Sequence, residues 1–268
     1  MLEEEGGLTY LDSHKKKKIK KDILPLNAAE IIETRKHIPI NIKKSNIQQI
    51  EFKLQDIGGL DEQILKIAGS INIQLNYPEF CNKFQFKSSK GFILHGPPGT
   101  GKTSLARALI HEFNRGNQPL AYFQFTASDI LSKNIGESET KLNVIFETAK
   151  LWQPSILFFD EIDGLIPIRN EKDRANASLV STFLNLMDGI NESGQLIIIG
   201  STNRLSSIDP AMRRQGRFEE EIYFPLPKLQ DRLSILLKIL NCWKQPPEYE
   251  LIENIAKLTN GFSGADLR

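Results

Sequence analysis

The run Gly96-Pro97-Pro98-Gly99-Thr100-Gly101-Lys102-Thr103 limits what this chain can fold into more than any other feature of it. It satisfies the GxxxxGK[ST] pattern. An apolar run, Gly91-Phe92-Ile93-Leu94-His95, precedes it and reads as a buried strand. Residues 102–113 follow with Leu105, Leu109, Ile110 and Phe113 on one helical face. A glycine-rich loop between strand and helix is the context that gives this pattern its meaning. Gly99 and Gly101 let backbone N–H groups close on phosphate oxygens without a Cβ in the way. The helix directs its positive dipole end at the same anion. Lys102 supplies charge to the β- and γ-phosphates, and the Thr103 hydroxyl is a ligand for Mg²⁺.

The rest of the chain repeats the strand-then-helix rhythm. Apolar strands are predicted at 122–125, 156–159, 196–199 and 221–224, and helices at 139–151 and 178–187. Continuous apolar strands alternating with helices imply an α/β fold with a parallel sheet covered on both faces. After Pro225 and Pro227 only helices are predicted, at 229–240 and 251–258, and the stretch ending at Arg268 resembles the start of another. The expected organisation is an N-terminal arm over 1–50, an α/β nucleotide-binding domain over 51–227, and a small, incomplete helical lid over 228–268. The arm carries Lys15, Lys16, Lys17, Lys18, Lys20 and Lys21 and lacks a sustained apolar period, apart from a short stretch at Ile31 and Ile32. Such a lysine cluster reads as a solvated tail, a nuclear-import signal or a contact for acidic surfaces.

Further polar residues sit at the carboxyl ends of predicted strands, where open α/β sheets bind ligands. Asp160-Glu161 follows strand 156–159: Asp160 is placed to hold Mg²⁺, and Glu161 to orient and polarise an attacking water. Asp163 is a rival acid that lies past the strand end and reads as structural. Asn203 ends a second apolar run and reads either as a turn residue or as an amide within reach of the γ-phosphate or the water. Arg213, Arg214 and Arg217 cluster around Gly216. Such a cluster reads as a solvated loop, as local pairs with Glu219, Glu220 and Glu221, or as cations serving a neighbouring subunit's phosphate.

Composition excludes little but is consistent with these readings. A formal net charge of +1 provides no global field for nucleic acid. Two cysteines, Cys81 and Cys242, without a CxxC pair argue against a disulfide framework or zinc site. No apolar run approaches a membrane span, and Glu3, Glu4 and Glu5 stand where a secretory leader would be basic and then apolar. The expectation is a soluble intracellular protein.

From about Phe52 to Arg268 the chain resembles the AAA ATPase family, with the family's elements in order. Asp56-Ile57-Gly58-Gly59-Leu60 looks like the segment packing against adenine. Then come the phosphate loop, Gly136-Glu137-Ser138-Glu139, Asp160-Glu161-Ile162-Asp163, Ser201-Thr202-Asn203-Arg204 and Gly216-Arg217-Phe218. Gly264-Ala265-Asp266 is similar to the nucleotide-facing turn of the lid. The resemblance implies ATP bound through Asp56, Ile57, Gly58, Pro98, Gly99, Thr100, Gly101, Lys102, Thr103, Ser104, Gly264 and Ala265. It also implies Asn203 as a sensor, Arg214 and Arg217 as trans-acting fingers, and a hexameric ring acting on a protein client.

Leu131-Ser132-Lys133, the wording from Phe158 to Leu165, Met187-Asp188-Gly189 and Asn203-Arg204-Leu205-Ser206-Ser207-Ile208-Asp209-Pro210 look narrower still. They resemble the bromodomain-bearing chromatin AAA ATPases, as does Leu24-Pro25-Leu26-Asn27 upstream. This likeness implies a nuclear, histone-directed remodeller, although the chain has no bromodomain. The cell-division-cycle type of unfoldase shares much of the wording and implies a cytoplasmic alternative. A scaffold that binds ATP without hydrolysing it is a third reading. Three departures from the family stand out: Asn134 where an aromatic grips clients, Gln215 for a usual proline, and Glu219-Glu220 for an acid-then-arginine pair.

Overall fold

The computed structural model describes residues 53–268, except 78, 80–82, 85–88, 114–119, 133, 135, 170–173, 191–194 and 242. The N-terminal arm with its lysine cluster, the short stretch at Ile31 and Ile32, the segment at Leu24 and Lys133 all lie outside the described residues.

Five strands, β1 (Gly91–His95), β2 (Ala121–Thr126), β3 (Ser155–Asp160), β4 (Leu196–Thr202) and β5 (Glu220–Tyr223), form one sheet in the order β2-β3-β4-β1-β5. Every neighbouring pair runs parallel. The helices are α1 (Asp61–Asn76), α2 (Lys102–Phe113), α3 (Ala127–Ile130), α4 (Glu137–Leu151), α5 (Arg174–Asp188), α6 (Leu229–Leu240) and α7 (Tyr249–Leu258). The chain leaves β1 through α2 to reach the far edge at β2, then returns strand by strand until β4 lies against β1. Strand order therefore reverses at β1, and the crevice at its carboxyl end is where such sheets take ligands.

The apolar runs read as buried strands are buried on both faces: all of β4 is buried, and β3 is buried from Ser155 to Phe159. Alternation then sorts side chains by face. Phe92, Leu94, Ile156, Phe158, Ile197 and Ile199 pack with Ile67 and Ile71 of α1 and Leu105 and Leu109 of α2. The opposite face is aromatic. The Phe183 ring of α5 meets Phe159 at 5.3 Å and Phe146 of α4 at 5.5 Å, both edge-on, and Phe218 at 6.2 Å. Phe183→Ala removes the hub of this cluster and is expected to destabilise the fold by about 3–5 kcal/mol. Urea unfolding checks this, and a loss under about 1 kcal/mol would show that the face repacks.

The apolar pattern predicts neither α3 nor α1. The short α3 has too few residues for a period to show. It is fixed instead by its cap, with the Thr126 N–H donating to Asp129 Oδ2 at 2.8 Å. The longer α1 buries a narrow stripe, Ile67, Ile71 and Gln74. Both α4 and α5 begin earlier than expected, at Glu137 and Arg174.

Beyond β5, α6 and α7 pack through Leu236, Leu240, Ile252 and Ala256. The buried Arg232 guanidinium fastens them. It donates to the Ala256 carbonyl from Nε at 3.0 Å and Nη2 at 2.8 Å, and to the Pro227 carbonyl from Nη1 at 2.9 Å. At 263–267 the Ser263 N–H donates to Asp266 Oδ2 and the Leu267 N–H to the Ser263 carbonyl, the bonds that open a helical turn.

Candidate functional site

A cleft of about 410 Å³ opens at the carboxyl ends of β1, β3 and β4. The phosphate loop is its floor. Pro98, Gly99, Thr100, Gly101, Lys102, Thr103 and Ser104 all line it. Gly99 takes φ +75°, and a Cβ there would lie 2.5 Å from Ser263 Oγ, so only glycine fits beneath the lid turn. Lys102 Nζ donates to the carbonyls of Gly96 at 2.9 Å and Pro97 at 2.7 Å, which anchors the ammonium within the loop. Burial holds that ammonium below the ordinary lysine range, and Asp160 opposes the shift. The helix behind is well closed, with the Leu105 N–H on the Gly101 carbonyl at 2.8 Å.

One wall is acidic and polar. Thr103 Oγ1 donates toward both Asp160 oxygens, at 3.2 and 3.1 Å. Ser201 Oγ on the adjacent β4 also donates to Asp160 Oδ1, and the Glu161 N–H donates to Ser201 Oγ at 3.3 Å. Glu161 follows with φ +53° and ψ +48°, and is the single non-glycine residue of positive φ among the described residues. A left-handed glutamate at a strand end is strained backbone of the kind that gathers at working sites. Glu161 is exposed, and it lines the cleft, as does Asn203. Asp163 is occupied elsewhere: it accepts from Thr202 Oγ1 at 2.8 Å and does not line the cleft. A hydroxyl and a carboxylate on one wall fit a hard divalent cation such as Mg²⁺, which takes one or two protein oxygens and shares the rest with phosphate and water. Among the described residues no three His, Cys, Asp or Glu cluster into a metal cage of their own.

The other wall comes from both ends of the described chain. Asp56, Ile57 and Gly58 line it together with Ile235 and Ile239 of α6, Gly58 packing so closely on the α6 backbone that a Cβ would lie 2.8 Å from the Ile235 nitrogen, and Gly264, Ala265 and Arg268 complete the wall. The Ala265 N–H donates to the Gly99 carbonyl at 3.1 Å, so the lid turn touches the phosphate loop directly. The residues named from sequence as nucleotide- and magnesium-binding thus lie around one cleft, with Glu161 and Asn203 among them. Ser201, Ile235, Ile239 and Arg268 also line it and are not among the residues that the sequence pattern marks. Buried hydroxyls at the end of an isoleucine strand were the available signal for Ser201, which is 2% exposed.

Arg214 and Arg217 do not line this cleft. Arg217 forms a two-pronged pair with Asp188 at the end of α5, Nε to Oδ1 at 2.7 Å and Nη2 to Oδ2 at 2.8 Å, while Nη1 donates to the Ala211 carbonyl at 2.6 Å. Arg214 is exposed. Of the three arginines, Arg213 takes the local pairing, with Glu221 at 2.6 and 3.1 Å. Asn134 is exposed, and its Nδ2 donates to Glu137 at 2.9 Å.

Behind the arginines lies Asp209. Burial raises its pKa, but the Arg169 hydrogen bond and the Ala211 N–H outweigh that, and the carboxyl ends below the usual 3.8. An acid depressed in the folded state adds stability that is present above its unfolded pKa and is lost as pH falls through the folded value. Asp209→Asn is therefore expected to lower the melting temperature near pH 6 and to weaken its fall as pH drops below the ordinary carboxylate range. Parallel acid titrations of melting temperature check this, and identical slopes would remove Asp209 from the account.

The model of the ATPase family associated with various cellular activities (AAA) matches residues 92–226. The chain is 46% identical over 220 residues to the ATPase histone chaperone YTA7 of Saccharomyces cerevisiae, covering 82% of this chain and 16% of that protein. It is 45% identical over 218 residues to the ATPase histone chaperone abo1 of Schizosaccharomyces pombe, covering 81% of this chain and 18% of that protein. With the ATPase family AAA domain-containing protein 2 of Homo sapiens it shares 40% over 253 residues, 91% of this chain and 18% of that one. The chain thus spans under a fifth of the length of each of these relatives. The parallel sheet reversing at β1, the phosphate loop with its aligned hydroxyl and acid, and these likenesses agree: the chain belongs to the AAA ATPase family, beside the bromodomain-linked chromatin members.

Proposed function

We propose that this chain binds ATP with Mg²⁺ and hydrolyses it as one protomer of a hexameric ring that remodels histone-containing complexes in the nucleus. The observation that carries the reading is the meeting of Thr103, Asp160 and Glu161 in one cleft above the phosphate loop. Loop N–H groups and Lys102 hold the β- and γ-phosphates, and Asp56, Ile57 and the α6 isoleucines flank the base. Thr103 and Asp160 would hold Mg²⁺, which would supply charge neutralisation at the phosphate oxygens. Glu161 orients a water and takes its proton as the new O–P bond forms and the bond to the bridging oxygen breaks. ADP and phosphate leave. Asn203 is placed to contact the γ-phosphate or that water, and Arg214 and Arg217 serve the cleft of a neighbouring protomer.

The histone direction follows from relatives named histone chaperones, and the lysine cluster at 15–21 suits a nuclear address. No helix among the described residues is long and apolar enough to cross a membrane. One observation favours a second reading. Asn134, tied to Glu137, offers a client no aromatic grip, which suits a scaffold that binds ATP to assemble rather than to thread.

Phosphate release and histone capture by the purified chain decide between these. Mg-dependent turnover with ATP-dependent retention of histones is expected. ATP binding without turnover selects the scaffold, and turnover with capture only of unfolded non-histone proteins selects the general unfoldase. Failure to bind ATP at all overturns the proposal.

A further inference from the structure

The Glu161 loop and the arginine-bearing segment are zipped together by residues that do not line the cleft. After Glu161 the chain runs through Ile166, Pro167 and Ile168 alongside 207–209. The Asp209 N–H donates to the Ile166 carbonyl at 3.1 Å and the Ile168 N–H to the Ser207 carbonyl at 2.9 Å, around an antiparallel bridge between Pro167 and Ile208. The next residue, Arg169, closes the zipper through Nε to Asp209 Oδ2 at 2.7 Å. Asp209 is 5% exposed, and its other oxygen accepts the Ala211 N–H at 2.8 Å, capping the turn Pro210–Arg213. The Ala211 carbonyl is in turn an acceptor for Arg217, whose fork ends on Asp188. A continuous set of short bonds thus runs from the loop after Glu161 to the guanidinium of Arg217.

We propose that Arg169 and Asp209 are positioning residues that set the placement of Arg214 and Arg217 for the neighbouring protomer's nucleotide. The inference rests on the ring reading above, in which those arginines act in trans. Neither residue touches this chain's own cleft. Loss of the pair should therefore leave the protomer's own ATP affinity intact and damage the site of the protomer it serves. A buried carboxylate deprived of Arg169 keeps one N–H partner and recruits water or shifts the turn, and displacement of a catalytic group by about 1 Å costs about a hundredfold in rate.

Arg169→Met is the leading variant because its side chain is half-exposed and the change creates no core cavity. Its kcat is expected to fall between about tenfold and a hundredfold, with KM and ATP affinity within about twofold of wild type. Arg169→Lys, which keeps the charge but not the fork, is expected to recover part of the loss.

The deciding measurement is complementation in full-length chains. Arg169→Met and Glu161→Gln chains are co-expressed with different tags and purified through both. In such mixed rings an Arg169→Met protomer retains its Glu161 and can receive arginines from a Glu161→Gln neighbour. Turnover well above either homogeneous ring is the expected result. Turnover no higher than their mean shows that Arg169 acts on its own site and overturns the proposal. Wild type is measured alongside: no turnover there overturns the functional reading itself, and no doubly tagged species overturns the ring. Asp209→Asn, if it folds, should complement in the same direction.

Discussion

Exchanging Glu161 for glutamine is expected to cut ATP turnover at least about a hundredfold while leaving ATP affinity within about threefold of wild type. The separation follows from position. The contacts that would hold phosphate and cation come from the loop, Thr103 and Asp160, and none requires Glu161. Glutamine keeps the length and the backbone N–H bond to Ser201 but cannot take a proton at neutral pH. The left-handed backbone at this position is no easier for glutamine than for glutamate, so melting temperature should move little. Phosphate release and equilibrium ATP binding on the same preparation test both halves. Equal loss of binding and turnover would make Glu161 part of the binding wall and return the general base to another group.

Gly96→Ala is expected to destabilise the fold by about 3 kcal/mol or more and to abolish ATP binding. Gly96 joins β1 to the phosphate loop at φ +145°, and a Cβ there would stand 2.2 Å from the Phe224 carbonyl oxygen. That oxygen belongs to the fully buried residue after β5, and the Phe224 N–H donates to the His95 carbonyl at 2.8 Å. Neither backbone can retreat without opening the β1–β5 edge. Because the Gly96 carbonyl also accepts from Lys102, the disturbance reaches the cation that faces phosphate. Chemical denaturation with a binding titration checks this, and a variant that melts like wild type and binds ATP would show that the edge yields more cheaply than its backbone contacts imply.

Much of this protein was legible in sequence because the relevant physics is local. The helix at 102–113 and that at 229–240 were read with their observed ends, since each shows an apolar stripe bounded by a glycine- or proline-rich break. Residues 155–160 and 196–202 announced themselves as buried parallel strands by continuous apolar runs, although the hydroxyl-bearing end of β4 was read as the segment beyond a shorter strand. What could not be read was partnership across the sheet. Ser201 reaches Asp160 41 residues away only because β4 lies beside β3. Arg217 finds Asp188 29 residues back, rather than the glutamates two to four places on that its charge pattern suggested. Arg169 and Asp209 meet across 40 residues.

Backbone conformation divides the same way. The glycines of the phosphate loop declare their positive φ by being glycines, whereas nothing in the residue type marks Glu161 as left-handed. The sequence by itself determined which groups this protein holds ready for phosphate, magnesium and water, because dihedral preference, periodicity and the chemistry of each side chain are carried by neighbouring residues. Only the tertiary structure decided which of those groups are bound to one another and which arginine is held by which acid. Such contacts depend on the strand order and on long crossovers closing back upon the sheet.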